Sequence, residues 1–411
     1  MDLLTLDRIR AAADLLAPVL RRTPTIASRV LSERTGHQVW LKCENLQRTG
    51  SFKPRGAYNR IANLTTDERT RGVVAASAGN HAQGVAWSAA ELGLPATVFM
   101  PAAATLPKVM ATKAYGASVH LEGAAVDDAL VLAREYADRT GATLVHPFDH
   151  VDVVAGQATV GLEILDQVPN VGTVLVPTGG GGLLAGIAAA LHELAPQVRV
   201  IGVQAQAAAA WPGSLAAGAP TPVAHMATMA DGIAVGTPGA VPFAHVVAHG
   251  CAMLTVSEEE LSKALLLCLE RAKLIVEPAG AAAVAALTGH DTALTGHDRL
   301  DLTGDVVAVL SGGNIDPLLL THVITHGLRA AGRFLAVRVT VADRPGGLRR
   351  LLEVVSDSGA SVVDVVHMRT AVRLALDEVE VLLTVETRGP EHRAAVLAAL
   401  AEGGYTVVVQ D

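Results

Sequence analysis

The chain has 411 residues, half of them hydrophobic, 18% charged and only 3% aromatic. That excludes a disordered chain and a small stapled scaffold, and at roughly 150 residues per domain it leaves room for two or three domains. Lys and Arg number 32 against 40 Asp and Glu, a net charge of −8, and with no basic run and few aromatic rings a nucleic-acid partner is not expected.

The stretch Met1 to Ala17 mixes charges with apolar residues at helical spacing, unlike the apolar core of a signal peptide. No apolar run approaches the ~20 residues of a membrane span. Cys43, Cys251 and Cys268 form no Cys-x-x-Cys pair, so neither a disulfide framework nor a cysteine zinc site is expected, and a reducing cytoplasm fits.

From Val39 to Leu310, short apolar runs alternate with helix-length segments, the pattern of β-α-β units and parallel sheets. Val73 to Ala76, Ala96 to Met100, Val174 to Val176, Val200 to Val203 and Val306 to Leu310 read as strands, and Gly84 to Leu92 and Leu183 to Leu194 as Ala-rich helices. The texture changes near Arg329 to Arg333. An alternating strand (Leu335 to Val341), the loop Asp343-Arg344-Pro345-Gly346-Gly347, a helix through Val355, strands Ser361 to Val366 and Val379 to Val385, a helix (His392 to Leu400) and a strand (Tyr405 to Val409) follow. That β-α-β-β-α-β order is the ferredoxin-like arrangement. The expected domains are therefore 1–328 and 333–411.

Four segments carry residue types suited to chemistry. In Ser51-Phe52-Lys53-Pro54-Arg55-Gly56-Ala57, Lys53 precedes a proline that favours extended backbone, and desolvation there would make its amine nucleophilic; an exposed loop lysine is the plain alternative. Ser77-Ala78-Gly79-Asn80-His81 follows a strand and opens a helix, a place for an anion such as a carboxylate, or simply a capped turn with Ser77 or Asn80 as the cap. Thr178-Gly179-Gly180-Gly181-Gly182-Leu183 sits between a strand and a long helix, where backbone N–H groups and the helix dipole favour phosphate. Ser311-Gly312-Gly313-Asn314 presents a hydroxyl at a strand's carboxyl end.

The glycine loop also fits the relaxed dinucleotide pattern Gly180-x-Gly182-x-x-Ala185, but the acidic residue expected about 20 positions on is replaced by Gln204. A Gly-Lys dipeptide and a Gly-x-Ser-x-Gly elbow are both absent, so a Walker loop and a serine hydrolase drop out. His146, Asp149 and His150 have a spacing a metal can use, although Pro147 breaks any helical face; a polar turn is the other reading, and no metal is expected.

A lysine amine, a glycine phosphate cup and a serine at neighbouring strand ends are what a pyridoxal phosphate enzyme needs. Together with Glu277-Pro278-Ala279-Gly280-Ala281, these segments resemble threonine dehydratase (threonine ammonia-lyase) from Leu6 to Gly327. The resemblance implies a fold-type II, tryptophan-synthase-β-like body of two α/β subdomains. Pyridoxal 5'-phosphate would be held covalently by Lys53, which also removes the substrate's Cα proton. It further implies that Phe52 packs by the cofactor ring, Asn80 bonds its 3-hydroxyl oxygen, Gly179, Gly180, Gly181, Gly182 and Leu183 bind its phosphate, and Ser311 faces the pyridine nitrogen. Ser77, Ala78, Gly79, Asn80 and His81 would bind the carboxylate of L-threonine or L-serine.

A neutral hydroxyl at the pyridine nitrogen suits β-elimination, giving a 2-oxo acid and ammonia. Serine racemase shares these motifs, but its second acid/base, a serine, corresponds to Ala78, and its acidic divalent-metal stretch has no counterpart in Gln204 to Ala210. Phe148 and Asp149 are expected near the substrate. Arg333 to Asp411 resembles an ACT domain. This implies an amino-acid effector such as isoleucine or valine at Asp343, Gly346 and Gly347 and a homodimer or homotetramer. The dehydratase family contains biosynthetic forms that feed isoleucine and degradative forms; a single ACT-like unit does not decide between them, and a place in isoleucine biosynthesis is the expectation. A purely dimerising module and a catalytically silent amino-acid sensor are the alternatives.

Overall fold

The computed structural model describes residues 3–288, 300–330, 332–369, 375 and 377–410. The chain divides into two compact units, Met1–Asp316 and Pro317–Asp411.

In the first unit, runs of Val, Leu and Ala that can bury both faces form parallel strands. The larger sheet orders Thr25–Ala27, Val39–Cys43, Asp305–Leu310, Val171–Pro177, Arg199–Ala205 and Ala252–Val256. Its neighbours are parallel except the first pair. The smaller sheet orders Ser118–Leu121, Ala96–Met100, Val73–Ala76 and Thr143–Leu144, all parallel. Two strands match the expected bounds; Val171–Pro177 and Arg199–Ala205 run past them at both ends.

Small residues set the close contacts. A Cβ on Gly156 would lie 2.3 Å from Arg55 O, and one on Gly56 2.8 Å from Val153 O, so the helices Lys53–Ala62 and Val151–Gln167 cross with backbones nearly touching. Beneath that crossing lies a buried ion network: Arg55 meets Glu44 at 2.8 Å and Glu163 at 2.7 Å, and Lys42 meets Glu163 at 2.5 Å. It clamps the helix that begins at Lys53.

The second unit opens with the helix Pro317–Ala330, which packs with the strand Phe334–Ala342. The chain therefore divides ahead of Arg329 to Arg333, where the residue pattern changes. An antiparallel sheet follows in the order Ser361–Met368, Glu378–Glu386, Phe334–Ala342 and Thr406–Val409. With the helices Gly347–Asp357 and Pro390–Glu402, this is the expected split β-α-β arrangement. Alternating Leu335, Val337, Val339 and Val341 fill its core. No described helix is long and apolar enough to cross a membrane.

Candidate active site

The segments that follow Val73–Ala76 in the smaller sheet, and Val171–Pro177 and Asp305–Leu310 in the larger, wall a cavity of about 300 Å³. These are strand carboxyl ends, where loops between parallel strands and helices face a ligand.

Lys53 lines this cavity. The expectation of extended backbone is corrected: Lys53 begins the helix Lys53–Ala62, with Pro54 in its first turn. A proline is tolerated there because its missing N–H would be unpaired anyway, and the preceding segment is held by Phe52 N–H donating to Ser311 O at 3.1 Å. Lys53 Nζ donates to Pro147 O at 3.0 Å and stands 5.0 Å from the Phe52 ring centre. Desolvation lowers its pKa to about 8, against the opposing pull of Glu277. The exposed-loop reading of this lysine is therefore excluded.

The four glycines leave Val171–Pro177 and enter the helix Gly182–Leu194. Gly181 has φ +96°, and a Cβ there would stand 2.2 Å from Trp211 Cζ2; one on Gly180 would meet the Phe148 ring at 2.4 Å. Only glycine fits this cradle. Among the described residues, the amides of Gly179 to Leu183 donate to no protein acceptor. Free N–H groups at a helix start form an anion site.

Ser77 Oγ accepts from Gly79 N–H at 3.1 Å. Asn80 starts the helix Asn80–Glu91, and Gly79 takes the cap position with no side-chain cap, so the capped-turn reading with Ser77 or Asn80 as cap is corrected. Asn80 Nδ2 donates to Glu277 Oε1 at 2.5 Å, and Asn80 Oδ1 accepts from Asn314 Nδ2 at 2.8 Å. This pair of bonds fixes which way the amide faces. His81 Nε2 meets Val145 O at 2.7 Å, and burial lowers its pKa to about 3, so it is a neutral, locked ring. Glu277 is 3% exposed; desolvation and nearby Asp231 raise its pKa to about 7. Ser311 is buried at the end of Asp305–Leu310 and lines the same cavity.

The family model of pyridoxal-phosphate dependent enzymes matches residues 16–312. The chain belongs to that family. An L-threonine ammonia-lyase of Thermotoga maritima is 45% identical over 98% of this chain and 99% of its own. The crystal structure of a T.th. threonine deaminase superposes with a TM-score of 0.70 at 40% identity, covering 76% of this chain and 99% of that one. Maize serine racemase gives 0.73 at 32% identity, covering 79% and 98%.

For a pyridoxal-phosphate dependent enzyme, the residues present fit the cofactor. A depressed lysine amine, unpaired loop amides and a cradle that any Cβ would fill all face one cavity. Lys53, Phe52, Ser77 to His81, Gly179 to Leu183 and Ser311 all line it.

Phe148 also lines it, but Asp149 does not: its carboxylate accepts from Val241 N–H at 2.7 Å and caps the helix Ala240–Ala248. His146 Nδ1 accepts from Asp149 N–H at 2.9 Å and His150 Nδ1 from Asp152 N–H at 3.1 Å, so both belong to polar turns. Asp343, Gly346 and Gly347 lie in the second unit, Asp343 and Gly346 on the turn before the helix Gly347–Asp357 and Gly347 at its first position. Asp343 pairs there with Arg369 at 3.3 Å.

Sequence reasoning gave no role to Glu277, Asn314, Lys108 or Asp231. Lys108 Nζ meets Asp231 Oδ2 at 2.5 Å, and both line the cavity. The signal for Glu277 was present, since it heads the segment Glu277 to Ala281; Lys108 and Asp231 left none.

Proposed function

We propose that the protein is a pyridoxal phosphate-dependent ammonia-lyase that converts L-threonine to 2-oxobutanoate and ammonia, and L-serine to pyruvate and ammonia. The carrying observation is a desolvated Lys53 amine sharing one cavity with the free amides of Gly179 to Leu183. The family assignment and the threonine ammonia-lyase relative at 45% identity support the same reading.

Pyridoxal phosphate, when bound, supplies an electron sink that makes the substrate's Cα–H acidic. Lys53 would hold it covalently, and its Nζ is the base placed to take the substrate's Cα proton. With a pKa of about 8, that amine exchanges protons near neutral pH, as a general base must. Gly179, Gly180, Gly181, Gly182 and Leu183 would donate their free N–H groups to the cofactor's phosphate. Phe52 would pack beside its ring, and Asn80, aimed by Glu277 and Asn314, would bond its 3-hydroxyl oxygen.

Ser311 would offer the pyridine nitrogen a neutral hydroxyl, so the bound group would draw less electron density from Cα than it would beside a charged partner. That setting would favour loss of the β-hydroxyl as water over return of the proton to Cα. The turn Ser77 to His81 receives the substrate carboxylate at the positive end of Asn80–Glu91. Ala78 brings no titratable group to the cavity, which favours elimination over racemisation.

The second unit is read as an ACT-type regulatory module. It would bind an amino-acid effector, isoleucine or valine, at Asp343, Gly346 and Gly347 in a cytoplasmic homodimer or homotetramer that feeds isoleucine synthesis. Its split β-α-β arrangement supports this.

The test is release of 2-oxo acid from L-threonine, L-serine and D-serine, with and without isoleucine or valine, in wild type and Lys53→Ala. Threonine turnover and a visible cofactor band, both lost in Lys53→Ala, are expected. Interconversion of serine enantiomers without 2-oxo acid would overturn the lyase reading, and indifference to both effectors would overturn the regulatory one.

A further inference from the structure

The carbonyls of the glycine loop are engaged as fully as its amides are free. Gly180 O accepts from Gly239 N–H at 3.1 Å, and Gly179 O accepts from the indole Nε1–H of Trp211 at 2.7 Å. In a trans peptide the C=O and the following N–H point in opposite directions. A donor that fixes Gly179 O outside the cavity therefore aims Gly180 N–H into it, and Gly239 does the same for Gly181 N–H.

Trp211 is itself rigidly held. It is fully buried, stacks on Phe243 with ring centres 5.9 Å apart and planes 22° apart, and leans its Cζ2 edge on the α-carbon of Gly181. Its backbone N–H donates at 2.9 Å to Oε1 of Gln204, a fully buried side chain near the end of the strand Arg199–Ala205. That strand pairs directly with Val171–Pro177, from which the loop departs. A continuous path thus runs from Gln204 through the indole to the loop peptide.

We propose that Trp211, anchored by Gln204, is a positioning residue for phosphate recognition: its indole N–H locks the Gly179–Gly180 peptide so that the loop amides converge on the cofactor's phosphate. The proposal rests on the reading of Gly179 to Leu183 as the phosphate cup. It distinguishes Trp211 from a core aromatic that merely fills space, because its effect depends on the presence of a phosphate group.

Full-length holoenzyme, stripped and reloaded with pyridoxal phosphate or with pyridoxal, separates the two roles. Trp211→Phe keeps the ring stack on Phe243 and removes the N–H. Loss of one well-aligned donor to a charge-binding loop is expected to raise the Kd for pyridoxal phosphate about tenfold while that for pyridoxal moves by less than about twofold. Gln204→Met, which leaves the indole but frees its backbone N–H, is expected to show the same selectivity at smaller size, and it carries the test should Trp211→Phe not fold. Equal loss of affinity for both aldehydes, or loss for neither, would overturn the proposal while leaving the cup in place. A wild type that binds both aldehydes equally would overturn the cup reading, and the proposal with it.

Discussion

Glu277→Gln tests the electrostatics of the site directly. The carboxyl is 3% exposed and accepts Asn80 Nδ2 at 2.5 Å; burial first, and Asp231 second, raise its pKa from 4.5 to about 7. A carboxyl so displaced carries about 3 kcal/mol against its charged form. The folded state takes up its proton below about pH 7, whereas the unfolded chain does so only in the ordinary carboxylate range. The stability it contributes is therefore present at low pH and lost as pH rises through about 7.

Glutamine keeps an acceptor for Asn80 and never ionises, so the variant's advantage over wild type should grow between about pH 5 and about pH 8, by up to ~3 kcal/mol. The assay is urea unfolding of the cofactor-stripped protein at both pH values, followed by tryptophan fluorescence. Trp40, Trp87 and Trp211 all lie in Met1–Asp316, so the signal reports that unit. A stability difference that is the same at both pH values would refute the assignment of a buried, charge-averse carboxyl.

Arg55→Met leaves Glu44, fully buried and paired with Arg55 at 2.8 Å, without its guanidinium partner; the expected cost is about 3–5 kcal/mol by the same unfolding assay. Gly181→Ala forces a Cβ onto a residue at φ +96° whose neighbour Trp211 Cζ2 would stand 2.2 Å away. Strain of about 1–3 kcal/mol and faster cofactor loss on dialysis, read from visible absorbance, are expected. Reloading of pyridoxal phosphate should accelerate as pH rises through about 8, where burial places the pKa of Lys53; a midpoint near that of an ordinary lysine would contradict the desolvated amine.

The elements were legible where burial on both faces leaves a simple record. Val73–Ala76 and Ala96–Met100 stand out because parallel strands in a covered sheet are near-continuous apolar runs, interrupted here only by the buried Thr97. The glycine loop stood out because four residues without side chains between strand and helix have few uses besides close approach of a ligand. Lys53 was misread locally: the rule for a residue before proline is a preference, and the Phe52 to Ser311 hydrogen bond and the Gly56 and Gly156 crossing outweigh it.

Glu277, present in the segment Glu277 to Ala281 but without a role, and Trp211, which left no signal, went unassigned for a different reason. A glutamate before a helical Pro-Ala-Gly reads as an ordinary first-turn acid, and a tryptophan in an alanine run reads as core. What ties each of them to the site is a partner far along the chain: Asn80 lies 197 positions from Glu277, and Gly179 lies 32 from Trp211. Sheet order creates the second meeting, because Arg199–Ala205 pairs beside Val171–Pro177 and so brings the indole to the loop; the first joins the segment after a strand of the smaller sheet to the start of the helix Pro278–Thr288. A linear pattern records what each residue can donate or accept. Only the topology decides which group receives it, and in this site the second fact determines the chemistry.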